Sequence, residues 1–318
     1  MLTLLYAGAD AQWPLYETAL PDAVASLGLD AKLTREADPK DVDYIIYAPN
    51  GPISDFTPFE NAKAVLSLWA GVEKIVGNET LTQPLCRMVD RGLAEGMVEY
   101  VLGHVLRGHL GMDRHLLNPD AKWEQIAPPL ARDRKLVVLG LGELGTACAR
   151  MLKAINFNVH GWSRSEKTAA RSGDLDALQG VILHHGPDGL ETGLQGADIV
   201  VTLLPDTHET LDLMNAERLA LLAPGAHLIN PGRGVLVDDT ALLAALDSGQ
   251  IGHATLDVFR TEPLPPEHPY WSDPKVTVTP HIAAETRVES ASEVIAQNIR
   301  RFEAGEPPLY LVDRALGY

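Results

Sequence analysis

Three things are scarce in this 318-residue chain, and each scarcity excludes a class of protein. Cysteine occurs only at Cys86 and Cys148, too few for a disulfide framework or a cysteine-built zinc site. Such a chain suits a reducing compartment. Basic residues are the second shortage: 26 Lys and Arg stand against 43 Asp and Glu, a formal charge of −17. So acidic a protein repels phosphate backbones and anionic lipid, which argues against nucleic-acid and membrane partners. Long apolar runs are the third, since none approaches the roughly 18 residues a membrane-crossing helix needs. The first basic residue is Lys32, so the basic start of a secretion signal is missing too. A globular, cytoplasmic protein is predicted. Metal-ligand spacing is also lacking around His184 and His185 or His104 and His109, and neither an H-E-x-x-H nor a G-x-S-x-G motif occurs. No metal is expected.

What the chain does have is an ordinary apolar content, 46%, and length for about two domains. Short β-rich runs followed by helical patterns recur along it. In the first hundred residues the strand candidates are 2–6, 31–34, 44–48 and 65–69, and a helix pattern then covers 93–117. A proline-broken stretch, 118–134, separates these from six more candidates at 136–139, 158–162, 199–203, 226–230, 254–258 and 276–279. Most are apolar throughout rather than alternating, as strands covered on both faces of a parallel sheet are. A last helix pattern, 285–304, ends at Gly305, a suitable residue for a helix C-terminus. If the central block is one domain, the chain end returns to the first, with crossings near residues 100 and 284.

The run GLGELG sets Gly140, Gly142 and Gly145, with Glu143 and Leu144 between them, after an apolar strand and before an Ala-rich helix. The first glycine allows a tight turn, the second lets backbone approach a pyrophosphate, and the third lets helix and strand pack closely. That context turns a weak motif into a dinucleotide site. An NAD site usually carries an acid about 20 residues on, to bind the ribose 2′-hydroxyl. Here Ser163, Arg164 and Ser165 stand in its place; Glu166 is the nearest acid, and Lys167 and Arg171 offset it. Guanidinium and hydroxyl groups suit a 2′-phosphate, so NADP(H) is preferred, with NAD(H) possible. An exposed, unpaired basic loop is the plainer alternative.

Arg233 in NPGRG, Glu262 in a proline-rich loop and His281 in TPHIAA each follow a strand of the central block. Singly, each has an ordinary explanation: a surface arginine, a solvated glutamate, a core histidine. Together they stand after the carboxyl ends of strands in one sheet, where open α/β sheets bind ligands. Hydride transfer to a keto carbon leaves an alkoxide, which a histidine can protonate as general acid. A neighbouring carboxylate favours the imidazolium, and an arginine can anchor a carboxylate and polarise the carbonyl.

GLGELG, NPGRG, LDVFRTEPLP and TPHIAA, in this order, resemble the D-isomer-specific 2-hydroxyacid dehydrogenases. Separations of 29 residues between Arg233 and Glu262, and 19 between Glu262 and His281, suit that family. WSR after the second strand of the block and the VDRALGY ending resemble its glyoxylate/hydroxypyruvate reductase branch. The resemblance implies an α/β fold of two Rossmann-like doubly wound domains with the active site in the cleft between them. Residues 1–100 and 285–318 would form a flavodoxin-like substrate domain, and 101–284 the dinucleotide-binding Rossmann domain. It implies that Arg233 binds the substrate carboxylate and carbonyl, that His281 donates the proton and that Glu262 orients it. Asp257 would hold the nicotinamide carboxamide, while Leu204, Pro205, Thr207, Asn230, Pro231 and Gly232 would lie near the cofactor. Backbone amides of Ala70, Gly71 and Val72 would take the substrate carboxylate from the outer domain. For most of these loops, simple turn geometry and sheet capping remain alternatives.

The sequence departs from the family it resembles in having Trp69 where smaller residues are common there, and Tyr47 closes an earlier strand. Either they narrow a pocket in favour of small acids, or Trp69 faces the core. Trp123 lies in the proline-broken arm, through which members of the family form homodimers. It either reaches the partner's active site or packs locally. The predicted activity is reduction of small 2-keto acids, glyoxylate and hydroxypyruvate, to D-2-hydroxy acids. NAD-dependent oxidation of another D-2-hydroxy acid and a non-catalytic dinucleotide sensor remain alternatives. Little chain follows residue 304, so no further regulatory domain is expected.

Overall fold

The computed structural model describes residues 1–118, 120–168 and 176–317. Arg171 and Tyr318 lie outside them. The chain divides into two units, Met1–Leu93 with Glu285–Tyr318, and Ala94–Ala284. The sequence pattern sets the first crossing near residue 100; the structure has it at Leu93, inside the first turn of the helix Arg91–His109.

The first unit is built on five parallel strands: β1 (Leu2–Ala7), β2 (Ala31–Thr34), β3 (Tyr44–Tyr47), β4 (Ala64–Ser67) and β5 (Leu85–Cys86). Their order across the sheet is β2-β1-β3-β4-β5. Successive side chains of a strand point to opposite faces, and both faces are covered here. Tyr44 and Ile46 enter one apolar cluster, with Leu20 and Ile299 of the helices Trp13–Ser26 and Val288–Glu303. Ile45 and Tyr47 enter the other, with Phe56 and Val72. The returning C-terminal helix therefore completes the core of the unit in which the chain began. Gly305, at φ +69°, ends it in the left-handed conformation that glycine adopts freely.

The second unit carries seven parallel strands: β6 (Lys135–Leu139), β7 (Asn158–Ser163), β8 (Ile182–His185), β9 (Ile199–Thr202), β10 (Ala226–Asn230), β11 (Ile251–Leu256) and β12 (Val276–Val278). The order is β12-β11-β10-β9-β6-β7-β8. The chain winds outward from β6 to β8, then reverses and winds outward from β9 to β12. A crevice at such a reversal, beyond the carboxyl ends of the strands, is where doubly wound sheets bind dinucleotides. Val137, Val200 and Leu228 pack on one face, and Val138, Val201 and Ile229 on the other.

Three elements differ from the sequence pattern. The helix pattern of 93–117 is interrupted by Gly111, at φ +61°, before the short helix Met112–Leu116 begins. Strand β8 lies at the sheet edge and is mostly exposed, so it lacks the apolar run that marks a covered strand. Strand β5 has two residues, too few to show any periodicity.

Leu228 is wholly buried at the centre of the second sheet. Leu228→Ala is expected to destabilise this unit by about 2–5 kcal/mol. A urea titration followed by far-ultraviolet circular dichroism would show a lower midpoint.

Candidate active site

The glycine loop joins β6 to the helix Glu143–Ala154. Gly140 sits at φ +100°, a region closed to most L side chains, and a Cβ there would run into the carbonyl of Leu203. At Gly145 a Cβ would overlap the carbonyl oxygen of Gly140. These two glycines are required by the protein's own packing. Gly142 differs: a Cβ there would meet nothing within 4 Å. It caps the helix N-terminus, where unpaired amides and the helix dipole attract an anion. The loop thus offers the open cradle that a pyrophosphate needs. Glu143 is exposed, while Leu144 packs against the core beneath.

At the end of β7, Ser163 donates from its hydroxyl to the carbonyl of Ser165 at 2.8 Å. Arg164 is exposed and pairs with Glu209 at 2.6 Å. Lys167 is half-buried; burial lowers its pKa, and nearby Glu143 opposes the shift. Arg164 is thereby linked to the loop after β9, and Lys167 lies within electrostatic reach of the glycine-loop helix. Glu209 is absent from the expected set because nothing local marks it: the pair spans 45 residues.

The loops after β9 and β10 close around the same strand ends. Thr210 donates from its hydroxyl to the carbonyl of Pro205 and accepts from the amide of Thr207, which fixes the Leu204–Thr207 turn. Asn230 is buried at 1% exposure, and its side chain is committed to the protein. Its carbonyl accepts from Thr202 at 2.6 Å and from the Gly232 amide, while its amide donates to the Arg233 carbonyl. Asn230 therefore holds the turn of Pro231, Gly232 and Arg233. A Cβ on Gly234 would collide with Phe259, so the Arg233 turn lies directly against the loop leading to Glu262.

Glu262 and His281 meet. Nδ1 of His281 lies 2.8 Å from Oε2 of Glu262, whose other oxygen accepts the amide of Phe259. A carboxylate only accepts, so Nδ1 carries the hydrogen, and Nε2 is the nitrogen that can exchange a proton with a substrate. His281 sits at φ +54°, a left-handed conformation that costs on the order of 1 kcal/mol even though histidine tolerates it better than most. Its amide donates to the carbonyl of Asp257 at 2.9 Å. Asp257 is 1% exposed, and its carboxylate accepts from Thr279 and from the amides of Ile282 and Ala283. Three acceptor positions are filled by the His281 loop, which leaves one oxygen capacity for a further donor.

In the first unit, Tyr47 is buried against Phe56, with ring centroids 5.5 Å apart. Trp69 is half-buried, packs on that unit's core, and has Lys74 over its ring at 5.9 Å. Ala70 and Gly71 are half-exposed in the loop after β4, while Val72 is part of the core. Trp123 is 90% exposed.

Strand order, glycine cradle and histidine–carboxylate pair together define a nucleotide-linked dehydrogenase. The sequence profile of the D-isomer specific 2-hydroxyacid dehydrogenase NAD binding domain matches residues 101–283, and the chain belongs to this family of oxidoreductases. Among its relatives is glyoxylate/hydroxypyruvate reductase A of Serratia proteamaculans, 42% identical over 80% of this chain and 82% of its own. Glyoxylate/hydroxypyruvate reductase A of Yersinia enterocolitica is 37% identical over 89% of this chain and 90% of its own. A D-isomer specific 2-hydroxyacid dehydrogenase of Xanthobacter autotrophicus, solved with NADPH and MES, superposes with a TM-score of 0.90 at 40% identity over 99% of both chains. The NADPH-dependent glyoxylate/hydroxypyruvate reductase of Sinorhizobium meliloti, solved with NADP and sulfate, gives 0.82 at 31% identity over 100% of this chain and 99% of its own.

A Cβ at Gly145 has nowhere to go without opening the glycine loop. Gly145→Ala is expected to weaken dinucleotide binding at least tenfold, read by quenching of protein fluorescence on titration with NADPH.

Proposed function

We propose that this protein reduces glyoxylate and hydroxypyruvate to glycolate and D-glycerate, with NADPH preferred over NADH. The observation that carries the reading is the His281–Glu262 pair at 2.8 Å, set beside the Arg233 turn at the carboxyl ends of the strands. The reductases among its relatives support the substrate class, and the relatives solved with NADPH or NADP support the cofactor.

The cradle of Gly140, Gly142 and Gly145 would hold the pyrophosphate, and Ser163, Arg164, Ser165 and Lys167 the 2′-phosphate. Residues 163–165 at the end of β7 are Ser, Arg and Ser, with no acid among them to favour a ribose hydroxyl instead. Bound NADPH supplies a hydride to the keto carbon. Arg233 anchors the substrate carboxylate and polarises the carbonyl, which draws negative charge onto its oxygen. His281 delivers a proton from Nε2 to that oxygen, and Glu262 holds the imidazole through Nδ1 and balances its positive charge before transfer. Asp257 would offer its remaining acceptor capacity to the nicotinamide amide. Leu204, Pro205, Thr207 and the NPG turn would line the cofactor. The amides of Ala70, Gly71 and Val72 would take the substrate carboxylate, with Trp69 and Tyr47 limiting its size.

Two copies of the chain are proposed to pair through the arm that carries Leu116, Leu117, Trp123, Ile126 and Leu130, all exposed apolar side chains in one stretch. The low cysteine count and acidic charge support a cytoplasmic enzyme without nucleic-acid or membrane partners.

Purified protein is expected to oxidise NADPH faster than NADH with both keto acids. Arg164→Asp should cut NADPH efficiency by about 10- to 100-fold, the worth of a charged hydrogen bond, while sparing NADH. Tight cofactor binding without turnover would overturn the reading. His281→Ala should lose at least about 100-fold in kcat. Reduction consumes a proton from the imidazolium, so its rate should fall as pH rises and the ring deprotonates. Oxidation of glycolate or D-glycerate needs the neutral ring and should rise over the same interval. A pH-independent reduction rate would remove His281 as the donor.

A further inference from the structure

Near His281 the chain holds a polar connection that the catalytic set does not use. Oδ1 of Asp257 accepts from the Thr279 hydroxyl at 2.6 Å and from the Ile282 amide at 2.9 Å, and Oδ2 accepts from the Ala283 amide at 2.8 Å. The Thr279 hydroxyl also lies 2.7 Å from that of Tyr100, on the helix Arg91–His109. The direction of this second bond follows from counting hydrogens. A carboxylate supplies none, so the single hydrogen of Thr279 goes to Asp257. Thr279 must then accept from Tyr100. Burial pushes the Tyr100 phenol up, so it keeps its hydrogen at any working pH. The chain runs one way, from Tyr100 through Thr279 to Asp257.

We propose that Tyr100 and Thr279 are positioning residues for His281, holding the Asp257 carboxylate in the one orientation that keeps the His281 loop in place. The proposal rests on the reading of His281 as proton donor. Asp257 grips the loop on both sides of the histidine and at it: its side chain takes the Thr279 hydroxyl before it and the amides of residues 282 and 283 after it, and its carbonyl takes that of His281 at 2.9 Å. The loop needs such a grip, because His281 is held at φ +54°. Thr279 makes the oxygen that accepts from Ile282 accept a second time, which fixes the carboxylate plane. Tyr100 fixes the Thr279 hydroxyl in turn.

The charged surroundings suit this role. The His104 ring is tilted against that of Tyr100 at 4.4 Å between ring centroids, and burial with the charge of Arg107 lowers its pKa. On the other side of the loop, Glu262 faces the imidazole. Proton transfer depends steeply on the alignment of donor and acceptor, so a loosened loop costs rate without removing a reacting group.

The test uses the full chain with Thr279→Val, which removes the hydroxyl but keeps the shape, Thr279→Ser, which keeps the hydroxyl, and Tyr100→Phe. In Thr279→Val the kcat for keto-acid reduction is expected to fall about 10- to 100-fold, with NADPH affinity within about twofold of wild type. Tyr100→Phe should lose less, and Thr279→Ser should restore most of the rate. The imidazole resonances of His281, followed by NMR at one fixed pH in protein with carbon-13-labelled histidine, should shift in Thr279→Val, because the ring is less well held against Glu262. That readout needs no substrate. Absence of turnover in the wild type would overturn the proposed reaction, while the resonances would still decide the positioning role. Wild-type resonances and kcat in both Thr279→Val and Tyr100→Phe would overturn the inference. So would a loss in Thr279→Val that Thr279→Ser fails to restore.

Discussion

The second unit depends on one buried carboxylate. Asp257 stands just beyond β11 at 1% exposure, where an unpaired charge would be prohibitively costly. It is stabilised there by one hydroxyl and two amides, all from the segment that follows β12. Those bonds satisfy the charge and at the same time determine where the next residues go. His281 lies between those contacts with a left-handed backbone, and its ring meets Glu262. The solvation of one acid and the placement of His281 are a single arrangement.

The same economy appears along the other strand ends. Asn230 is buried and uses both ends of its amide to shape the turn that carries Arg233. Gly234 lets that turn lie against Phe259, so the arginine and glutamate loops share one edge of the sheet. Gly140 serves the close approach of Leu203 and Gly145 that of the Gly140 carbonyl, whereas Gly142 serves open space. Residues in these motifs therefore divide into those that build the frame and those that leave room. A dehydrogenase needs both, since a dinucleotide must be approached by backbone while the reacting groups stay rigid.

Legibility in the sequence varied with the range of the interaction. The glycine loop was readable because strand, turn and helix follow one another within a few residues, and so were the covered strands, each apolar over its whole length. Arg233, Glu262 and His281 were readable as a set only because each follows a strand, and a parallel sheet gathers such positions at one edge. Strand β8 was hidden, being exposed at the edge and without an apolar run. The break at Gly111 was hidden as well, since glycine within a helical pattern is often tolerated. Tyr100 and Thr279 are 179 residues apart, and neither residue type in its context announces the other. Trp69 stood between two readings, and the structure finds it partly in the core with Lys74 across its ring.

The amino-acid order alone determined the class of fold, the family and the glycine loop between strand and helix. These rest on local periodicity and on motifs whose spacing is set by the backbone. Only the tertiary structure decided which oxygen of Glu262 meets which nitrogen of His281, and that Asn230 serves the turn through its side chain. The direction of the hydrogen bonds from Tyr100 to Asp257 also became readable only there. Such contacts depend on ångström-scale distances between segments far apart in the chain, and hydrogen-bond partners are assigned by distance and by the count of donors, neither of which a linear sequence contains.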